Sequence, residues 1–227
     1  MTRLSRRDLI AATSASLALL ALPRPAAAVP AVPDGRIVYD VYRNGSRIGR
    51  HTIRIARRGD TLVARNEIAI AVSVLGITAF RYEHSSREVW DALGILEIAS
   101  RTNDDGTEDH LRAQRSDGRL VVTASGGDRT VDRSLPTTSL WHPNTVKARR
   151  LLDIQDGVLT DIMPTPLGRE RREVPALGRT PCHHYTLGDA SQREIWYDDQ
   201  NRLVAATFVS KQDGSRINAE AVSVEDI

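Results

Sequence analysis

Apolar and charged residues alternate along much of the chain with a period of two, the spacing of a strand that buries one face. Between Leu62 and Val74, the residues Leu62, Ala64, Ile68, Ile70, Val72 and Val74 share one parity, and Arg65 and Glu67 take the other. Further on, Phe80, Tyr82, His84 and Trp90 oppose Arg81, Glu83 and Arg87. The pattern predicts a sheet with one apolar, aromatic face and one face of charges that pair across strands. The clearest single element is a hairpin from Arg36 to Ile55, two β-branched and aromatic runs around Asn44-Gly45. Asn-Gly tolerates the two positive φ angles of a type I′ turn, so a tight reversal is expected there. The apolar parity switches between Ile48 and Ile53, which predicts a bulge near Gly49.

Turn signals recur about every ten residues: Gly59-Asp60, Leu93-Gly94, Asp105-Gly106, Asp117-Gly118 and Gly126-Gly127. No proline interrupts the chain between Asp34 and Leu135, as uninterrupted strand pairing requires. The pattern breaks at Pro136. The segment Pro136 to Ile154 is the best helix candidate, with Thr138 or Ser139 as cap and an apolar stripe of Val146, Leu151 and Ile154. Met163 to Pro181 reads as a long charged connection between short strands, and Arg169 to Glu173 as a solvated loop. Strands then return on either side of Asp198 to Asn201, and a last hairpin turns at Asp213-Gly214.

Composition adds a destination. Ser5-Arg6-Arg7-Asp8-Leu9-Ile10 resembles a twin-arginine export signal, with Arg6 and Arg7 as the pair. A mildly apolar run follows, too short to span a bilayer. Ala26 and Ala28 have the small-residue spacing that a signal peptidase reads, so cleavage is expected after Ala28. The expected organisation is a signal over residues 1–28, a leader over 29–35 and one domain over 36–227. The partners implied during export are the twin-arginine translocase and signal peptidase. The mature protein is expected to be soluble in the periplasm, without a stable membrane span. Without residues 1–28 the chain has one more acidic than basic residue, which offers no electrostatic case for nucleic acid. Cys182 is the single cysteine, so the fold must hold without an internal disulfide.

Several short motifs, in order, resemble a family of exported proteobacterial proteins of unknown function. They are Tyr39-Asp40-Val41-Tyr42-Arg43-Asn44-Gly45 with Ile48-Gly49, Tyr82-Glu83-His84 with Glu88-Val89-Trp90, Leu140-Trp141-His142, and Ile195-Trp196-Tyr197-Asp198 with Arg202-Leu203. Such proteins resemble the periplasmic lipoprotein carriers of the localisation-factor (LolA/LolB-like) type. The resemblance implies a mainly β fold: a strongly curved antiparallel sheet, or unclosed β-barrel, wrapped around one or two helical segments, one near residues 138–153. It implies a hydrophobic cavity and assigns no catalytic residue.

The candidate chemistry is sparse. Cys182-His183-His184 has thiolate and imidazole donors, but only Cys182 and His184 share a strand face, and no spaced third ligand accompanies them. The acidic run from Asn103 to Asp109 has Arg101 at the first position of a calcium loop, so it reads as a turn. Signature motifs of hydrolases and nucleotide-binding enzymes are absent from the sequence, and no cofactor or metal is implied. The expected function is therefore a non-catalytic binding or carrier protein for a lipid-like or other apolar small molecule. Phe80, Tyr82, His84, Trp90, Trp141 and His142 are the candidate ligand-binding residues. The alternatives are an assembly factor holding a protein partner on a sheet edge, and a hydrolase-like enzyme using His84, His142 or His184.

Overall fold

A computed structural model describes residues 32–226 apart from 75–76 and 211–212; the side chains of 73–78 are not described. The signal residues Arg6, Arg7, Ala26 and Ala28 lie outside the described residues, as does most of the leader.

Eight strands follow one another as an antiparallel meander: β1 (Gly35–Arg43), β2 (Ser46–Arg58), β3 (Thr61–Val74), β4 (Ile77–Asp91), β5 (Gly94–Asp104), β6 (Thr107–Ser116), β7 (Arg119–Ala124) and β8 (Arg129–Asp132). A crossing segment holds a short ribbon, β9 (Arg150–Leu152) paired with β10 (Leu159–Asp161). A second meander follows: β11 (Thr165–Val174), β12 (Gly178–Thr186), β13 (Glu194–Asp198), β14 (Leu203–Val209) and β15 (Arg216–Asp226). β15 pairs with β1, which joins both meanders into one 13-stranded sheet ordered β11-β12-β13-β14-β15-β1-β2-β3-β4-β5-β6-β7-β8. The sheet does not close into a barrel; β8 and β11 are its edges.

The sheet is bent at points set by sequence. Asn44 and Gly45 take φ angles of 48° and 86°, the tight turn that Asn-Gly encodes. Opposite it, Val41 faces Gly49 while Tyr42 faces Arg47, so Ile48 is an extra residue on β2. This is the expected bulge. Gly49 is needed there, because a Cβ would lie 2.2 Å from the Ala69 carbonyl oxygen. Gly49→Ala is expected to force β2 and β3 apart and to cost about 1–3 kcal/mol, read as a shift of the urea midpoint. A midpoint unchanged from the parent would contradict it.

At the other end the sheet curls back on itself. In a flat sheet β11 and β15 would stand roughly 19 Å apart, four strand spacings. Instead Arg172 on β11 reaches Glu220 on β15 at 2.9 Å, and the Ala176 N–H reaches the Ala221 carbonyl at 3.0 Å. The run Arg169 to Glu173, expected as a loop, is thus an edge strand. Its high charge and the break in register at Pro166 suit an edge that must not recruit further strands.

The expected helix between Pro136 and Ile154 does not form. Only one 3-10 turn, Pro143–Lys147, interrupts an extended path. The reasons are local. Leu140 adopts φ +60°, Pro143 has no N–H to donate, and the expected caps Thr138 and Ser139 bond Asp153 and Thr137 through their hydroxyls. The segment crosses the apolar face of the sheet and is pinned to it. Ser100 donates to the Ile154 carbonyl, Tyr197 donates to the Leu140 carbonyl at 2.5 Å, and the Gly126 N–H reaches the Asp156 carbonyl at 2.9 Å.

Candidate functional site

The apolar parity read along β3 and β4 becomes one wall of a cavity of about 600 Å³. Ile68, Ile70 and Val72 of β3 stand beside Phe80, Tyr82 and His84 of β4. Tyr39 and Val41 of β1, Ile48 and His51 of β2, and Ala206, Phe208, Ile217 and Ala219 of β14 and β15 continue the wall. Thr138, Ser139, Leu140, Asp153, Ile154 and Gln155 of the crossing segment form the opposite side. The segment that failed to become a helix therefore completes the cavity.

Cross-strand register sorts the wall into rows. Tyr39, His51, Ile68, His84 and Thr102 face one another across β1 to β5. The next row is Ile53, Asn66, Ser86 and Ser100. A polar band thus runs beneath the apolar rim. Tyr39 stacks on His51 at 5.1 Å, and the Tyr39 hydroxyl donates to the Leu203 carbonyl at 2.6 Å. Asn66 Nδ2 donates to Ser86 Oγ at 3.2 Å, and its Oδ1 faces His51 Nε2 at 3.5 Å. Burial holds both His51 and His84 down at a pKa of about 4, so both are neutral at physiological pH. Burial likewise raises Tyr82 and Asp153 above their ordinary ranges.

The six candidate residues divide into two groups. Phe80, Tyr82 and His84 stand on the cavity wall. Trp90, Trp141 and His142 lie in the packed core: Trp90 stacks on His142 at 4.4 Å and meets Trp141 edge-on at 5.9 Å. Beside them is a residue that sequence reading passed over. Glu88 is completely buried. Its carboxyl accepts from the indole N–H groups of Trp90 and Trp141, both at 3.1 Å, and from Thr137 at 3.1 Å; Ser139 also bonds it. No arginine or lysine is among its partners in the described residues. The signal was present in the sequence: Glu88, Asn66 and Ser86 share the parity of the apolar face.

The three histidines of the hydrolase-like alternative occupy separate places. His84 is in the cavity and His142 is in the core. His184 lies on the other face of the sheet, stacked on Trp196 at 4.2 Å and bonded to Glu194 at 2.9 Å. Arg172 covers the same Trp196 ring at 4.3 Å, and Trp196 donates to Glu170 at 2.6 Å. Cys182, on the same strand face as His184, is buried, and burial pushes its thiol up to about 11. No group of three His, Cys, Asp or Glu side chains among the described residues is placed to hold a metal ion. No helix among the described residues is long and apolar enough to cross a membrane.

Three solved structures resemble this chain to different degrees. A β-barrel-like protein of the domain of unknown function DUF1849 from Brucella abortus superimposes with a TM-score of 0.65 at 11% identity, covering 86% of this chain and 98% of that one. A candidate lipoprotein from Parabacteroides distasonis gives a TM-score of 0.35 at 10% identity, covering 86% and 96%. A candidate exported protein with a YmcC-like fold from Bacteroides fragilis gives 0.33 at 10% identity, covering 86% and 97%. The first shows a shared fold; the other two superimpose too loosely to carry an argument. No curated protein matches the chain. The family model for the domain of unknown function DUF6134 matches residues 39–222, most of the chain, which therefore belongs to the DUF6134 family.

Proposed function

We propose that this protein is a periplasmic, non-catalytic carrier or binding protein for an apolar or lipid-like small molecule. The observation that supports the reading best is the cavity. Its volume of about 600 Å³ falls in the range of pockets that enclose small-molecule ligands. The wall is mainly aliphatic and aromatic, and the crossing segment covers it. A protein that needed only a stable core would fill this space with its own side chains, since interiors are otherwise close-packed. Export through the twin-arginine route and cleavage after Ala28 belong to the same proposal.

The alternative of a protein partner on a sheet edge draws less support. The exposed strand β11 carries a run of five charged residues, Arg169 to Glu173, and a break in register at Pro166, both features that discourage strand addition.

Native mass spectrometry of the protein purified from the periplasm tests the reading, with solvent extraction of whatever is released. A stoichiometric apolar molecule is expected. Ile68→Trp, which places an indole in the cavity, is expected to abolish that adduct. A clean apo mass, with no uptake of a fluorescent lipid afterwards, would overturn the proposal and direct the search to a protein partner.

A further inference from the structure

Among the described residues, the charged groups around the cavity have ionic or hydrogen-bond partners. Arg43 pairs with Asp213 and bonds Ser215, and Arg193 pairs with Asp189. His84 differs. It is 4% exposed and lines the cavity, and its Nε2 has no hydrogen-bond partner among the described residues. Buried polar atoms are nearly always satisfied, so a solitary one facing a cavity marks where a ligand's polar group sits.

The surrounding hydrogen bonds fix what that nitrogen offers. Asp109 is an acceptor and takes the Gln155 Nε2–H at 3.1 Å. The Gln155 amide oxygen is therefore turned to accept the Tyr82 hydroxyl at 3.4 Å. Thr102 is bonded to Tyr82 as well, and its Oγ1 lies 2.8 Å from His84 Nδ1; with the Thr102 hydrogen given to Tyr82, Thr102 Oγ1 is left to accept from His84 Nδ1–H. A neutral imidazole carries one proton. With that proton on Nδ1, Nε2 presents a lone pair to the cavity.

We propose that the cavity is built for a neutral amphiphile, an apolar body with one hydrogen-bond-donating head such as a hydroxyl, and that His84 Nε2 accepts the head's hydrogen. This rests on the carrier reading and adds the chemistry of the head. A hydrocarbon would leave Nε2 unpaired. A carboxylate would bring negative charge toward a lone pair and toward Asp153, and the two arginines on the described wall, Arg43 and Arg193, are already paired with Asp213 and Asp189.

The test compares four probes of equal chain length on delipidated protein: 1-decanol, decyl methyl ether, decanoate and decylammonium, each displacing a bound fluorescent lipid. The alcohol is expected to bind about tenfold tighter than the ether, the worth of one hydrogen bond. His84→Phe is expected to erase that preference, so that alcohol and ether bind equally. Should that variant fail to fold, Thr102→Val, which removes the acceptor that holds the proton on Nδ1, is expected to erase most of it. Nitrogen-15 NMR of the parent is expected to show the Nδ1–H tautomer of His84. Equal binding of alcohol and ether, tighter binding of either charged probe, or an Nε2–H tautomer would overturn the assignment of the head and leave the carrier reading standing. Failure of all four probes to bind would remove both.

Discussion

Replacing Glu88 by leucine is expected to cost the protein about 3–5 kcal/mol, the scale of stranding buried polar partners. That is a large share of the ~5–15 kcal/mol that holds a typical domain folded. The carboxyl takes hydrogen bonds from two indoles and two hydroxyls, all in the core. Indole nitrogen can only donate, so Trp90 and Trp141 have no second use for their hydrogens once the acceptor is gone. Glutamine is a sharper probe of the same arrangement. It keeps the shape and one oxygen but turns an amide toward groups that also donate, and it is expected to cost about 1–3 kcal/mol. Urea unfolding, followed by tryptophan fluorescence, measures both. Because Glu88 ties Thr137 and Ser139 to β4, and Ser139 lines the cavity, the same variants are expected to weaken uptake of the proposed ligand. A Glu88→Leu protein within about 1 kcal/mol of the parent would show that the carboxyl is not what fixes the crossing segment.

Glu88 also shows where sequence reading stopped. The strands of the first meander, their turns and the bulge near Gly49 were legible, because each depends on a period of two or on a Gly or Asn that accepts positive φ. The apolar wall of Ile68, Ile70, Phe80 and Tyr82 was legible for the same reason. The crossing segment was not. Its residues have the spacing of an amphipathic helix, but its conformation is set by bonds to distant partners: Glu88 on β4, Ser100 on β5 and Tyr197 on β13. Such long-range bonds leave no periodic trace. The charged strand β11 failed for a related reason. An edge strand has little apolar face to bury, so its sequence resembles a loop. Likewise, Trp141 and His142 carried the same apolar signal whether they lined the cavity or packed against Trp90; only the tertiary contacts separate the two.

Acid is expected to unfold the protein well before its carboxylates titrate, and His142 is expected to supply about 2 kcal/mol of that effect between pH 7 and pH 5. Unfolded histidine takes up a proton near pH 6.5, whereas burial lowers folded His51, His84 and His142 to about 4. Between those values the unfolded chain binds more protons, so stability falls as pH falls. His142 has a structural reason to stay neutral. Its Nδ1 accepts the Asn144 N–H at 3.2 Å, which caps the 3-10 turn, and its ring stacks on Trp90. Lys147 nearby opposes a second positive charge. A proton on Nδ1 would break the cap. Glu88, Asp104 and Asp153 act in the opposite sense, because burial raises their pKa and they gain stability on protonation. The comparison must therefore cancel them. His142→Asn does so: asparagine can accept the same N–H as a cap but does not titrate. Urea unfolding at pH 7 and pH 5 should show the parent losing about 2 kcal/mol more than the variant over that interval. Equal losses in the two proteins would mean that His142 is protonated in the folded state at pH 5 and that the cap does not hold it neutral.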